Sequence, residues 1–383
     1  MKIVYVNDAL AIWGGLERIL IEKVNWLADE YGYEVYILTT NQGNHPILYS
    51  LSPKVSHIDL EIGFHQQYRY KGLYRLYKKL QLNRLFIKRL RTFFHEKQPD
   101  IIVVVRSQLL SSVAKAKDNV PLVFESHTSC CSHMVIVKSL YARLMTFIGN
   151  MGVRKVQQVV ALTEGDANDW RKFNPNVCVI PNIVHLNGAR INSDCQSKSA
   201  IFVGRFSKQK DIGSLLRVWA FVHEHHPEWQ LHIYGGYGGE EEWMLPKIKE
   251  HDMNVRVHEP TPDIFEKYCE NSILLLTSAF EPFGLVLPEA MSCGLPVVAF
   301  DCPYGPADII TDGYDGFLVK ERDIRLYAEK VCLLIETPDL RVKMGQAGIQ
   351  SSKRYEASLI MPHWKELFEQ IVKKEKDRNL KTV

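Results

Sequence analysis

The stretch AFEPFGLVLPEAMSCGLPVVAF, residues 279 to 300, contains the pattern that decides the fold. The apolar run SILLLTS (272–278) precedes it and the run PVVAFD (296–301) closes it, and both are typical of buried strands. Between them, LVLPEAMSC (285–293) has helical character and is followed by Gly294, a residue type that commonly ends helices. A strand, a helix and a second strand in this order predict a βαβ unit with parallel strands.

The same alternation extends in both directions, so we expect an α/β protein with two doubly wound, Rossmann-like domains facing each other across a cleft. The polar stretch HLNGARINSDCQSKS (185–199) predicts an interdomain linker between domains at 1–184 and 200–355. A C-terminal helix and tail (356–383) are expected to pack back on the first domain. Besides the two strands above, the predicted strands are KIVYVN (2–7), EVYILTT (34–40), DIIVVVR (100–106), PLVFESH (121–127), QVVALTE (158–164), AIFVGR (200–205), WQLHIYGG (229–236) and NVRVHEP (254–260).

The composition narrows the function. The chain has 383 residues, of which 46% are hydrophobic, and its 47 basic and 44 acidic residues give a formal charge of +3. This balance excludes a general polyanion binder, and we expect no nucleic-acid partner. The start MKIVYVNDAL has too short an apolar run for a signal peptide or a membrane span, which predicts a cytoplasmic chain. Eight cysteines, with Cys130 and Cys131 adjacent and no Cys-x-x-Cys, predict reduced thiols.

Two glutamates, Glu281 and Glu289, flank the predicted helix start. The amides of Phe283, Gly284 and Leu285 should point into the cleft at the positive end of the helix, which suits a phosphate or sugar hydroxyls. Carboxylates are strong acceptors for paired hydroxyls, so the pattern indicates a sugar nucleotide. The alternative is that Glu289 only offsets the helix dipole, a stabilisation of about 0.3 to 1 kcal/mol, and that Glu281 is a loop charge.

This stretch resembles the Glu-x7-Glu signature of the retaining glycosyltransferases of family 4, which have the GT-B fold. The resemblance implies that Glu281 contacts hydroxyls of the donor sugar, Glu289 the ribose, and the intervening amides the diphosphate or sugar. IFVGRFSKQKDI (201–212) is similar to the family's strand ending in Gly-Arg, with a lysine five residues later. That similarity implies that Arg205 and Lys210 hold the diphosphate, where two cations would stabilise the leaving group in the transition state. Taken alone, they would be ordinary surface cations.

The first domain adds two expectations from the same resemblance. NDALAIWGGLERIL (7–20) resembles the family's Gly-Gly-x-Glu-Arg entry loop, which implies that Gly15 lies over the diphosphate. His127, at the end of a predicted strand, occupies the place of a histidine that the family often sets beside the donor sugar. The alternatives are a plain tight turn and a structural histidine. YGGYGGEEE (234–242) lacks the Gly-x-Gly-x-x-Gly spacing, and the resemblance to family 4 implies that it is a nucleotide-side loop. CPYGPADII (302–310) resembles branches of the family that build surface polysaccharides, which implies a UDP donor, with GDP as the alternative.

A basic, aromatic stretch runs from Ile62 to His95 without a single acidic residue. Its leucines recur at helical spacing, so the helix could lie on an anionic membrane surface, or its apolar face could pack on the first domain. Membrane contact is favoured because many members of the family act on lipid-linked acceptors. The expected membrane-surface residues are Arg75, Lys78, Lys79, Arg84, Lys88 and Arg89.

The resemblance, together with these patterns, implies a hexosyltransferase that acts with retention of configuration. It would move a hexose or N-acetylhexosamine from a nucleoside-diphosphate sugar, UDP favoured, to a hydroxyl of a lipid-linked or growing polysaccharide at the inner face of the cytoplasmic membrane. We expect no metal and no cofactor beyond the donor substrate, with His127, Arg205, Lys210 and Glu281 as catalytic residues. A sugar-nucleotide epimerase and a membrane-associated scaffold with a degenerate site are the alternatives. The sugar, the acceptor and the oligomeric state stay open.

Overall fold

A computed structural model describes residues 1–12, 14–130, 151–186, 192–236, 238–250 and 253–380. Cys131 and part of the predicted linker, residues 187–191, lie outside the described residues, as does Tyr237 of the glycine-rich loop. The described strands are β1 (Lys2–Asn7), β2 (Glu34–Thr39), β3 (Val55–Asp59), β4 (Ile101–Val104), β5 (Leu122–Glu125), β6 (Gln158–Ala161), β7 (Val177–Val179), β8 (Ser199–Val203), β9 (Gln230–Tyr234), β10 (Val255–His258), β11 (Ile273–Leu276), β12 (Val297–Phe300) and β13 (Gly316–Val319).

Helices connect most of the strands, as the βαβ pattern requires, and further helices follow β13. The α-helices among the described residues are α1 (Gly15–Asp29), α2 (Gly72–Lys97), α3 (Ser107–Ala116), α4 (Glu164–Trp170), α5 (Ile212–His225), α6 (Glu241–Glu250), α7 (Ile264–Cys269), α8 (Val286–Ser292), α9 (Gly305–Ile309), α10 (Ile324–Glu336), α11 (Pro338–Ser352) and α12 (Ala357–Leu380).

The strands form two parallel sheets, with the orders β3-β2-β1-β4-β5-β6-β7 and β10-β9-β8-β11-β12-β13. The strand order reverses between β1 and β4 in the first sheet and between β8 and β11 in the second. Crevices beyond the carboxyl ends of strands at such reversals are where ligands bind in doubly wound folds. The candidate residues of the second domain follow β8 and β11, so the topology brings them together.

The ten strands predicted from sequence are all present, whereas β3, β7 and β13 were not predicted. Each of these three lies at an edge of its sheet. Most side chains of β3 and all those of β7 are partly exposed, and β13 has only four residues. Short strands without a long apolar run give little periodic signal.

The C-terminal helix α12 packs on the first sheet. Met361, Trp364 and Phe368 are buried in the same hydrophobic cluster as Ile3 and Tyr5 of β1. The chain therefore crosses back to the first domain after completing the second. The seven described cysteines are all free thiols.

Candidate active site

Glu281 lies in the loop that follows β11 and is only 7% exposed. Its carboxylate accepts hydrogen bonds from Nζ of Lys210 at 2.5 Å and from Oγ of Ser278 at 3.0 Å. The loop is held by the segment after β12, because the Glu281 amide donates to the carbonyl of Pro303 at 2.9 Å and the Gly305 amide donates to the carbonyl of Glu281 at 2.7 Å. Glu281 is therefore held in place by hydrogen bonds to both its carboxylate and its backbone.

The backbone between the two glutamates presents free donors. In the described part of the chain, the amides of Phe283, Gly284 and Leu285 have no hydrogen-bond acceptor. Gly284 has φ of +92°, a conformation that suits glycine, and a Cβ there would lie 3.0 Å from Cγ of Glu281. Helix α8 begins immediately afterwards, at Val286, and Gly294 with φ of +84° follows its end.

Two cations follow β8. The stem of Lys210 passes Gly204, at which a Cβ would lie 3.2 Å from Cε of the lysine, so the lysine is guided towards Glu281. Arg205 is exposed, and within the described ranges its guanidinium has no hydrogen-bond or ion-pair partner. One cation is thus held by a carboxylate, and the other is available to an anion.

Glu289 is in the first turn of α8 and is 3% exposed. One of its carboxylate oxygens pairs with the guanidinium of Arg18 on α1, and the other accepts a hydrogen bond from the hydroxyl of Tyr268 at 3.1 Å. Burial raises the pKa of Tyr268 far above its usual value, so the hydroxyl remains a donor. Each carboxylate oxygen has a second lone pair that could accept from a ligand hydroxyl.

The start of α1 reaches the second domain. A Cβ on Gly15 would lie 2.8 Å from Cδ1 of Leu285, so the start of α1 lies directly against this segment, and a larger residue here would require the leucine side chain to shift. Glu17, in the first turn of α1, is buried and accepts from Nη2 of Arg106 at 3.0 Å. Arg106 follows β4, so the entry loop is anchored at the carboxyl edge of the first sheet.

His127 lies two residues beyond β5, with its side chain 4% exposed and its Nε2 atom 2.8 Å from Oε1 of Glu125. Glu125 is fully buried and also pairs with Lys23 of α1. Burial by itself acts to raise the pKa of Glu125, but Lys23 and His127 together lower it to about 2. Burial lowers the pKa of Lys23, although Glu125 opposes that change. The carboxylate therefore stays ionised and holds the imidazole in place.

Sequence reasoning missed Lys23 and Glu125. For the glutamate, the available signal was a charged residue at the end of the apolar segment LVFE (122–125); the segment IEKVNWL (21–27) has other polar residues and gave no such signal for the lysine. Such charges are rarely buried without a partner.

The predicted site residues fall into two groups. One group lies on the second domain and consists of Arg205, Lys210 and the segment 281–289. Gly15 approaches this group from the first domain. The six expected membrane-surface cations lie on α2, whose buried residues pack with Val4 and Val6, while α1 packs with Ile3 and Tyr5 on the opposite face of the first sheet. The basic helix is thus on the other face of the first sheet from α1.

No helix in the described ranges is both long and apolar enough to cross a membrane. Within the same residues, no group of three or more histidine, cysteine or acidic side chains is arranged to hold a metal ion.

Two facing, doubly wound domains, with two cations and two carboxylates near the point where the strand order of the second sheet reverses, define a GT-B glycosyltransferase. The family model described as Glycosyltransferase Family 4 matches residues 13–187. The model described as Glycosyl transferases group 1 matches residues 189–351. The chain therefore belongs to the family 4 glycosyltransferases, and the resemblance expected from the Glu-x7-Glu segment is confirmed.

Known proteins are similar to this protein, in sequence or in structure, over nearly the whole chain. The amylovoran biosynthesis glycosyltransferase AmsD of Erwinia amylovora is 29% identical, over 96% of this chain and 99% of that protein. Among solved structures, sucrose-phosphate synthase from Thermosynechococcus elongatus superposes with a TM-score of 0.81 at 18% identity, covering 97% of this chain and 98% of the other. TarM from S. aureus superposes with a TM-score of 0.79 at 16% identity, covering 96% and 99%. These superpositions confirm the predicted GT-B fold.

Proposed function

We propose that this glycosyltransferase acts with retention of configuration in the synthesis of a bacterial surface polysaccharide. It moves a hexose or N-acetylhexosamine from a UDP-sugar to a hydroxyl of a lipid-linked or growing glycan. The observation that carries the proposal is the pair of Glu281 and Lys210 next to three amides without an acceptor among the described residues, with Arg205 exposed after the neighbouring strand β8. This cluster offers a carboxylate for sugar hydroxyls next to cations and amides for a diphosphate.

In the proposed reaction, the bond between the anomeric carbon and the diphosphate oxygen breaks while the acceptor oxygen bonds to the same face of that carbon. The departing phosphate oxygen takes the proton of the acceptor hydroxyl. Arg205 and Lys210 stabilise the charge that develops on the diphosphate, which favours the transition state over the ground state. We propose that these two cations make a metal ion unnecessary.

Glu281 binds hydroxyls of the donor sugar and Glu289 binds the ribose diol. The amides of Phe283, Gly284 and Leu285 contact the diphosphate or the sugar, and Gly15 allows the entry loop to lie over the diphosphate. His127, held by Glu125, contacts the donor sugar from the first domain. The donor is thereby enclosed from both sides of the cleft.

The relatives support the finer parts of this proposal. TarM is described in complex with UDP and α-GlcNAc-glycerol, and an α-linked product from an α-linked UDP-sugar requires retention. AmsD is named for the biosynthesis of amylovoran, and it matches this chain almost end to end. A UDP-sugar donor and a polysaccharide acceptor are the simplest extension to this chain.

The first turns of α2 support contact with an anionic membrane. Leu73, Leu76 and Leu80 are 86%, 54% and 51% exposed, and Tyr74 and Tyr77 are more than half exposed beside them. The cations Arg75, Lys78 and Lys79 are interleaved with these apolar side chains, an arrangement typical of interfacial helices. We propose that this surface places the enzyme at the inner face of the cytoplasmic membrane, beside a lipid-linked acceptor.

The second half of α2 is packed on the first domain. Phe86, Leu90, Phe93 and Phe94 are buried there. Arg89 donates to the carbonyl of Leu60, so it is partly committed to the protein itself. Arg84 and Lys88 line an open groove with Arg91 and His95, and we propose that they support headgroup contact from the side.

Turnover with a panel of UDP-sugars tests the proposal. The protein would be incubated with UDP-glucose, UDP-galactose and their N-acetyl forms, with and without a detergent extract of bacterial membranes, in the presence of EDTA. Release of UDP that depends on the extract, with an α-linkage in the product by NMR, supports it. Interconversion of the sugar nucleotides without extract would favour an epimerase, a β-linkage would contradict retention, and activity abolished by EDTA would contradict the metal-free mechanism.

A further inference from the structure

Tyr304 has a backbone conformation that residues other than glycine rarely adopt, with φ of +115° and ψ of −84°. It lies in the segment that joins β12 to α9. Glycine would reach this conformation without strain, whereas a residue with a Cβ persists there only when the surrounding structure holds it. Strain of this kind clusters at functional sites, which directs attention to what the tyrosine contacts.

The backbone around Tyr304 holds the loop of Glu281. Tyr304 and Glu281 form a parallel bridge, with Pro303 and Gly305 on either side exchanging hydrogen bonds with Glu281. Gly305 also packs so closely on the carbonyl of Phe283 that a Cβ would clash with it. The conformation of this segment therefore sets the position of the Glu281 loop.

The side chain of Tyr304 crosses to the first domain. Its hydroxyl donates to Oδ2 of Asp169 at 2.6 Å. Its ring lies on Gly165, at which a Cβ would be 3.1 Å from Cδ1 of the ring. Asp169 is on α4, and its other oxygen accepts from Nζ of the largely exposed Lys172 at 2.5 Å.

We propose that Tyr304 is a positioning residue that couples contact between the two domains to the placement of Glu281. When the domains meet, the hydroxyl binds Asp169 and fixes the segment that carries the Glu281 backbone. When they separate, that bond is lost and the loop is released. The inference rests on the proposed function, because Glu281 matters to turnover only if it binds the donor sugar.

The test compares Tyr304→Phe, Asp169→Ala and the double variant. Tyr304→Phe keeps the ring and removes only the hydroxyl. Because a hydrogen bond to a charged group is lost, each single variant should lower kcat about ten-fold. The Kd for UDP should stay within about two-fold, since Tyr304 is not among the proposed nucleotide contacts. The double variant should be no slower than the slower single variant, because both remove the same bond.

A matched control distinguishes the loss of the hydrogen bond between Tyr304 and Asp169 from a general disturbance of α4. Lys172→Ala removes a side chain that is 69% exposed and a different partner of Asp169, and it should leave kcat close to wild type. Thermal unfolding of every variant would check that it is folded, and Asp169→Ala carries the test if Tyr304→Phe is not. Wild-type kcat in the folded single variants, or losses that multiply in the double variant, would overturn the proposal. Failure of wild-type protein to bind UDP would instead contradict the proposed function.

Discussion

At the scale of single residues, the two glutamates of the Glu-x7-Glu segment have different partners. Replacing one should therefore have a different effect on catalysis and on UDP binding from replacing the other. Glu281→Gln should lower kcat by about ten-fold or more while UDP still binds, because the charged acceptor for the sugar is lost. Glu289→Gln should weaken UDP binding about ten-fold, because the ribose diol loses its charged acceptor and one of the two acceptor oxygens. Calorimetric titration of UDP and initial rates would separate the two effects.

The control for both is Glu329→Gln, which replaces an exposed glutamate on α10 that pairs with Arg325. It should match wild type in rate and in affinity. Equal losses of rate and of UDP affinity in Glu281→Gln and Glu289→Gln would show that the two carboxylates do not have separate roles.

Lys23 should matter chiefly to stability. Replacing it with methionine leaves the fully buried carboxylate of Glu125 without its lysine, and breaking such a pair costs about 3 to 5 kcal/mol. Urea unfolding followed by circular dichroism would measure the loss. Lys54→Met is the matched control, because Lys54 pairs with Asp29 at the surface at 3.4 Å and should contribute less than about 1 kcal/mol. Equal stability of the two variants would contradict the buried pairing.

The same pair predicts a dependence of stability on pH. The pKa of Glu125 is lowered from 4.5 to about 2 by Lys23 and His127, against the opposing effect of burial. A carboxyl whose pKa is lowered by folding adds stability that is fully present above its unfolded pKa and is lost as the pH falls through its folded pKa. The difference in unfolding free energy between wild type and Glu125→Gln should therefore shrink between about pH 4.5 and pH 2. A difference that stays constant over this range would contradict it.

Single residues also show what the sequence could and could not predict. The resemblance placed Lys210 and Glu281 in one site, and the structure gives the reason: each follows a strand, and β8 and β11 are neighbours at the point where the strand order reverses. Lys23 and Glu125 could not be paired, because about a hundred residues separate them and periodicity carries no information on such partners.

At the scale of elements, the two halves of α2 differ in burial. Its second half packs on the first domain, whereas its first turns expose leucines and tyrosines on all sides. Period alone could not divide the helix, because the leucines recur evenly through both halves. The division becomes visible only when the neighbouring elements are in place.

The exposed turns of α2 yield a binding prediction. The double variant Leu73→Ser and Leu76→Ser should reduce binding to vesicles that contain phosphatidylglycerol about ten-fold, because it removes two large apolar side chains. Co-sedimentation with such vesicles would measure it, and Leu359→Ser is the control, since Leu359 is 54% exposed on α12. Unchanged binding in the double variant, or an equal loss in the control, would contradict membrane contact through α2.

At the scale of the whole molecule, α12 ties the end of the chain to the first domain. Trp364 is 1% exposed, and Nζ of Lys23 lies 3.9 Å from its ring centroid. Trp364→Ala should cost about 3 to 5 kcal/mol of unfolding free energy, because it opens a cavity over that lysine. Differential scanning calorimetry would detect the loss, and the neighbouring exposed His363→Ala should unfold like wild type. A wild-type transition in Trp364→Ala would show that α12 does not support the first domain.

The arrangement of the domains was the part of the molecule least accessible from sequence. Alternating strands and helices predicted two sheets, and the polar stretch between them predicted the linker, whose boundaries stay a prediction. The contacts that cross the cleft, Arg18 with Glu289 and Tyr304 with Asp169, depend on how the two domains are oriented. Orientation is set by side chains that meet only after each domain has folded.

The most direct test of the central claim is thermal stabilisation by UDP, GDP and ADP, since a ligand that binds only the folded state raises its stability by mass action. Wild type would be compared with Arg205→Ala and with Arg325→Ala, which removes an arginine that is 79% exposed on α10 of the same domain. The account predicts a higher Tm with UDP in wild type and in Arg325→Ala, and no shift in Arg205→Ala. Folded wild-type protein that shifts with no nucleotide would contradict a sugar-nucleotide donor, and a shift with GDP in place of UDP would contradict the uridine assignment.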